Sequence, residues 1–129
     1  MKTPISTPSA PAAIGPYSQG IEARGARTVY VSGQIPLDPA TGELVKGTIE
    51  QETERVMENL AAVLAAAGAG FEHVVKTTIF LADLSDFTKV NEVYGGYLGP
   101  VPPARVTVQA AALPRGARVE IDAVAVIPG

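Results

Sequence analysis

Two strand-like segments carry the side chains best suited to chemistry. In PPARVTVQ, residues 102–109, Arg105 stands behind two prolines at the start of an alternating run. Strand alternation puts Arg105, Thr107 and Gln109 on one face and Val106 and Val108 on the other. A planar guanidinium can grip a carboxylate through two parallel hydrogen bonds. The plainer alternative is a solvated arginine at a strand edge. In RVEIDAVAVI, residues 118–127, Glu120 and Asp122 share one face while Val119 and Ile121 share the other. A carboxylate inside so apolar a strand is uncommon. Desolvation there favours its protonated form and suits it to general base work. Its structural alternative is an ion pair with Arg105, Arg115 or Arg118.

Four shorter features add candidates. GPYSQG, residues 15–20, sets Tyr17 beside a turn, where its ring covers a ligand or packs the loop onto the core. VSGQ, residues 31–34, places Ser32 and Gly33 at a strand end, and backbone approaches a ligand closely where Gly33 has no side chain. Asn91 lies between Val90 and Tyr94 on the buried side of a helix, and a half-buried amide needs partners. His73, between Glu72 and Val74, reads as an exposed loop histidine.

These residues need a frame to position them. Residues 1–16 hold four prolines and read as an extended arm or loop. Ser18 to Ala23 is a weak strand, and Thr28 to Ser32 a strong one ending at Gly33. The Asp-Pro and Thr-Gly pairs make 35–44 a loop. Thr48 and Gln51 form a capping box, and Val56, Leu60, Val63, Leu64 and Ala67 recur at spacings of three and four. That pattern predicts a helix over 48–67, ended by Gly68 and Gly70. Val74 to Leu81 reads as a strand covered on both faces. Ser85 is placed to cap a second helix on which Phe87, Val90, Tyr94 and Leu98 share a face. Strands over 105–111 and 118–127 close the order β-β-α-β-α-β-β. The expected architecture is a mixed sheet with both helices on one face. The other face then needs a partner, which predicts a homo-oligomer.

Composition narrows the chemistry. The 129 residues fit one domain, 1–129, with 47% hydrophobic and 18% charged residues. Cysteine is absent and His73 is the only histidine, which argues against thiol catalysis and the usual zinc sites. A net charge of −3 argues against nucleic acid as the main partner. No apolar run approaches the ~20 residues of a membrane span, and MKTPISTPSAP lacks a signal-peptide core. A cytoplasmic protein is expected.

The blocks GPYSQG, VSGQIPLDPATGEL, VVKTTIFLADLSDFTKVNEVY and PPARVTVQAAALPRGARVEIDAVAV resemble the Rid family, also called YjgF, and its RidA subgroup, in family order. The resemblance covers nearly the whole chain. It implies a chorismate-mutase-like α/β (α+β) fold built as a homotrimer, with active sites in clefts between subunits. It implies hydrolysis of reactive 2-imino acids, 2-iminobutanoate and 2-iminopropanoate, or of their enamine tautomers, to 2-oxo acids and ammonia. Such intermediates leave pyridoxal-phosphate dehydratases acting on serine and threonine. No metal and no organic cofactor is implied.

Carried over by position, Arg105 binds the substrate carboxylate and Glu120 positions or activates the attacking water. Tyr17, Ser32, Gly33 and Asn91 fall in the pocket, and Val106 and Thr107 offer backbone groups. The chain departs from its relatives at Thr107, where many carry Cys, so thiol-dependent behaviour does not carry over. Pro102 stands where an aromatic is frequent, which alters the pocket rim. Two other readings compete: a non-catalytic trimer binding 2-oxo or 2-imino acids, and the RNA-directed role described for some relatives.

Overall fold

The structure, a computed structural model, describes residues 1–128. Strands β1 (Lys2–Ile5), β2 (Gly20–Ala23) and β3 (Arg27–Gln34) precede helix α1 (Ile49–Ala66). Strand β4 (Val74–Leu81), helix α2 (Phe87–Gly96), β5 (Ala104–Gln109) and β6 (Val119–Ile127) follow. The main sheet has the order β3-β6-β4-β5, in which β4 and β5 run parallel and the other neighbours antiparallel. This is the expected mixed sheet. The additional strand β1 was not foreseen. Part of the N-terminal arm pairs with β2 in a separate two-stranded sheet, because Pro4 sits on an edge strand, where its missing N–H leaves no gap in a ladder.

Both helices pack on one face of the main sheet. Along β6, Val119, Ile121, Ala123 and Ala125 turn toward the helices, and so do Thr77, Ile79 and Leu81 of β4. Val56, Met57, Leu60 and Leu64 of α1 and Val90 and Tyr94 of α2 complete the core. The predicted stripe holds except at Val63, which is 41% exposed. Its position on the flank of α1 points it past the sheet. Among the described residues the opposite sheet face carries no helix, so β4 is not covered on both sides. Tyr30, Val106 and Val108 stand exposed there.

Local signals account for the helix ends. The Thr48 hydroxyl accepts from the Gln51 N–H at 3.1 Å, and the Gln51 side chain accepts from the Thr48 N–H at 3.0 Å. Gly68, at φ 76°, supplies the left-handed turn that stops α1. Ser85 does not cap the second helix as expected. Asp83 accepts from the Ser85 N–H at 2.9 Å and caps a 3₁₀ turn, Leu84–Asp86, that leads into α2. His73 is half-buried in a second 3₁₀ turn rather than exposed in a loop, and its Nδ1 accepts from the Gly70 N–H at 3.0 Å. Among the described residues, no helix is long and apolar enough to cross a membrane.

One ion pair ties α1 to the start of β6. Glu52 is buried, and Arg118 grips it through Nε at 3.1 and 3.3 Å and through Nη2 as well. Arg118 Nη2 also donates to the Gly47 carbonyl at 2.7 Å. Arg118→Ala would leave the Glu52 carboxylate buried without its cation. It should destabilise the protein by about 2 kcal/mol. The check is a lower urea midpoint at unchanged slope; a wild-type midpoint would show that the pair contributes nothing.

Candidate active site

Arg105 enters the helix-side face at the free edge of the sheet. Its strand, β5, is parallel to β4, with Arg105 beside Thr77 and Thr107 beside Ile79. The core-facing parity of β4 therefore extends to Arg105 and Thr107. Arg105 Nη1 donates to Asn91 Oδ1 of α2 at 2.6 Å. Its Cζ lies 5.3 Å from the Tyr17 ring centre, 5.6 Å from Phe87 and 5.5 Å from Tyr94. Aromatic faces attract a cation without neutralising it. Among the described residues, no carboxylate pairs with this guanidinium. Burial pulls Arg105 below its ordinary value, and Tyr94 and Tyr17 oppose the shift. The result is a half-buried cation with donors to spare.

Those donors line a cavity of about 360 Å³ with Ile14, Gly15, Tyr17, Phe87, Asn91 and Thr107. The Thr107 hydroxyl, in the cavity wall, is buried and has no hydrogen-bond partner among the described residues. Buried polar atoms are seldom left so. Tyr94, fully buried, fixes the floor by sharing a 2.7 Å hydrogen bond with Thr77. Burial raises the Tyr94 phenol above its ordinary value, partly offset by Thr77 and Arg105. Tyr17 is held because Ser18 anchors to the residues before β5. The Ser18 N–H donates to Pro103 O at 3.1 Å, and its hydroxyl donates to Pro102 O at 2.6 Å. The two prolines are thus a docking point as well as a stiff approach to Arg105.

A second cluster sits on the other side of the sheet. Glu120 pairs with Phe80 across β6 and β4, on the face opposite the helices. Gly33 is the last residue but one of β3, near the strand end where it was expected. Val31 pairs with Ala123 and Gln34 with Ile121, so Ser32 and Gly33 form a bulge against Asp122. A Cβ on Gly33 would collide with the Glu120 carboxylate. Glu120 makes no ion pair among the described residues, since Arg118 is spent on Glu52. Asp122 is also occupied, accepting from the Thr78 N–H at 2.8 Å.

The structure therefore brings Arg105, Asn91, Thr107 and Tyr17 together, and separately Glu120, Gly33 and Ser32. It does not bring the two groups together within one chain. Val106 points to the open face, away from Arg105, and contributes only backbone on the helix side. As an edge strand, β5 leaves alternate N–H and C=O groups free along its outer side. The residues around Arg105 that sequence reasoning missed are Ile14, Gly15, Phe87 and Tyr94. Phe87 and Tyr94 read as core from their helical spacing, and nothing in the spacing of Ile14 singled it out.

The family profile described as Endoribonuclease L-PSP matches residues 7–127. "Protein DfrA" of Myxococcus xanthus is 61% identical over 95% of this chain and 93% of its own length. The "2-iminobutanoate/2-iminopropanoate deaminase" of Mus musculus is 54% identical over 95% of this chain and 89% of its own. The crystal structure of RidA from an Antarctic Psychrobacter species superposes with a TM-score of 0.75 at 46% identity, covering 97% of this chain and 99% of that one.

Asn91 holds the guanidinium in place, so its loss should be felt by any carboxylate bound there. Asn91→Ala should weaken binding of a short 2-oxo acid about tenfold, as expected for a hydrogen bond to a charged group. Asn91→Asp should abolish that binding by supplying a competing anion. Calorimetric titration checks both, and unchanged affinity in the aspartate variant would remove Arg105 from the binding site.

Proposed function

The chain belongs to the endoribonuclease L-PSP family, also known as YjgF or Rid, and we propose that it hydrolyses reactive 2-imino acids to 2-oxo acids and ammonia. The observation that carries this reading is Arg105, a half-buried cation with no carboxylate partner among the described residues, opening onto a small cavity. A 2-imino acid supplies the missing carboxylate. The deaminase name of the mouse relative supports the same substrate class.

The chemistry follows from the groups present. Arg105 takes the carboxylate and orients the adjacent C=N carbon. Protonated on nitrogen, that carbon is electrophilic enough for water. Glu120 accepts a proton as the water oxygen bonds to carbon. It gives that proton to nitrogen and, as the C–N bond breaks, accepts the proton of the new hydroxyl, whose oxygen becomes the 2-oxo group; ammonia leaves and takes up the proton as ammonium. Ser32 and the bare backbone of Gly33 give the water and substrate room beside Glu120. Val106 and Thr107 offer backbone groups from the β5 edge, and the Thr107 hydroxyl awaits a polar partner.

Because Arg105 and Glu120 occupy opposite faces of one sheet, a single chain holds two half-sites. A homotrimer in which one subunit's β5 edge meets the next subunit's Glu120 completes the site. The exposed Tyr30, Val106 and Val108 on the uncovered face favour such an assembly. The net charge of −3 and the small cavity favour this reading over an RNA substrate.

The direct assay generates 2-iminobutanoate with a threonine dehydratase and follows 2-oxobutanoate. Wild-type protein should accelerate its appearance, and no acceleration would sink the proposal. Arg105→Ala should abolish both binding and turnover, and Glu120→Gln should lose turnover while retaining 2-oxo acid binding. Refolding the two inactive variants together should restore about one quarter of wild-type turnover, the share of interfaces pairing an intact Arg105 with an intact Glu120. Absence of any recovery would place both residues' functions within one subunit.

A further inference from the structure

We propose that Ile14 contacts the substrate side chain and sets selectivity for short alkyl groups, and that Gln19 is the positioning residue that holds it there. The inference rests on the imino acid reading above. The segment from Thr7 to Ile14 is a strap of small residues and prolines, and Pro8 to Gly15 are all exposed. Such a segment buries too little to hold itself in one conformation. One side chain does the holding. Gln19 Oε1 accepts from the Thr7 N–H, at 2.6 Å. Its Nε2 lies 3.1 Å from Thr7 O, 3.2 Å from Ala10 O and 2.7 Å from Pro11 O. Among the described residues, no other side chain outside the strap bonds to its backbone.

The far end of the strap is fixed over the Arg105 cavity. A Cβ built on Gly15 would lie 3.6 Å from Asn91 Nδ2 and 3.8 Å from Arg105 Nη2, so the backbone passes directly over the anion-binding pair. Pro16 packs where Gly95 of α2 has no side chain, with Pro16 Cβ at 3.3 Å from the place a Gly95 Cβ would take. Ile14, the residue before this clamp, is 91% exposed yet lines the cavity. With the carboxylate on Arg105 and Asn91, and the polar centre near Thr107, the substrate alkyl group needs an apolar wall. The Phe87 ring already faces the guanidinium. Ile14 is the apolar side chain left to receive it.

The test compares wild type, Ile14→Ala, Gln19→Ala and the double variant on 2-iminopropanoate and on the imine derived from leucine. Ile14→Ala should shift the kcat/KM ratio about tenfold toward the longer substrate, the scale on which one or two methylenes discriminate. Gln19→Ala should shift it the same way and raise hydrogen exchange in residues 7–14 while leaving β3, β4 and β6 protected. The double variant should match Ile14→Ala, because Gln19 acts through Ile14. An unchanged ratio in Ile14→Ala, or additive effects in the double variant, would overturn the proposal. Calorimetric binding of the matching 2-oxo acids reads the same ratio without turnover. It decides the role of Ile14 even where wild-type protein turns over no imine and the imino acid reading itself fails.

Discussion

Successive side chains of a strand leave on opposite faces, and in this protein that parity places both Arg105 and Glu120. On β6, odd-numbered positions from Val119 to Ala125 meet the helices, so Glu120 and Asp122 must face away. Parallel pairing of β5 with β4 carries the same parity across the sheet. Arg105 and Thr107 fall on the helix side with Thr77 and Ile79, and Val106 and Val108 fall outside. Shifting either strand by one residue would exchange Arg105 for Val106, or Glu120 for Ile121, and expose the core with it. The core and the placement of the reactive groups are thus one constraint.

On the helix side, the dominant energetic fact is the state of Arg105. Three aromatic rings and an amide oxygen surround a half-buried guanidinium that has lost part of its water without gaining an anion among the described residues. The rings and the amide orient the group, and they recover only part of its hydration. The Thr77–Tyr94 hydroxyl pair beneath it is self-contained, so it does not compete for the cation. By contrast, Arg118 spends its donors on Glu52 and Gly47 and works as a structural clamp. Two arginines of one chain therefore play opposite parts because one has a buried carboxylate beside it and the other does not.

On the far side, Glu120 depends on missing atoms. The bulge at Ser32 and Gly33 brings the β3 backbone against its carboxylate, and any Cβ at Gly33 would push that carboxylate aside. The bare sheet face around it leaves Glu120 and the exposed Val106 and Val108 to whatever covers that face.

Much of this was legible in the residues. The capping box at Thr48, the stripe of Val56, Leu60 and Leu64, the turn glycine at 68 and the alternation in β5 and β6 are local, because each rests on contacts within a few residues. The pairing of Asn91 with Arg105 was half legible: the sequence marked both residues as polar groups in want of partners, without marking them as each other's. The first strand escaped because four prolines outweighed its pattern, and its pairing with β2 is a choice made at a distance. The cap at Asp83 in place of Ser85, and His73 turned inward onto Gly70, were decided by which neighbour came within reach. Ile14 could not be read from its surroundings in sequence, since the cavity it lines is assembled by residues from α2 and β5. The sequence by itself determined the main helices, the main-sheet strands and their parity, because these follow from short-range sterics and periodicity. Only the tertiary structure decided that Arg105 and Glu120 stand on opposite faces of the sheet with β4 between their strands, because strand order and relative direction are set by long-range packing that no local pattern encodes.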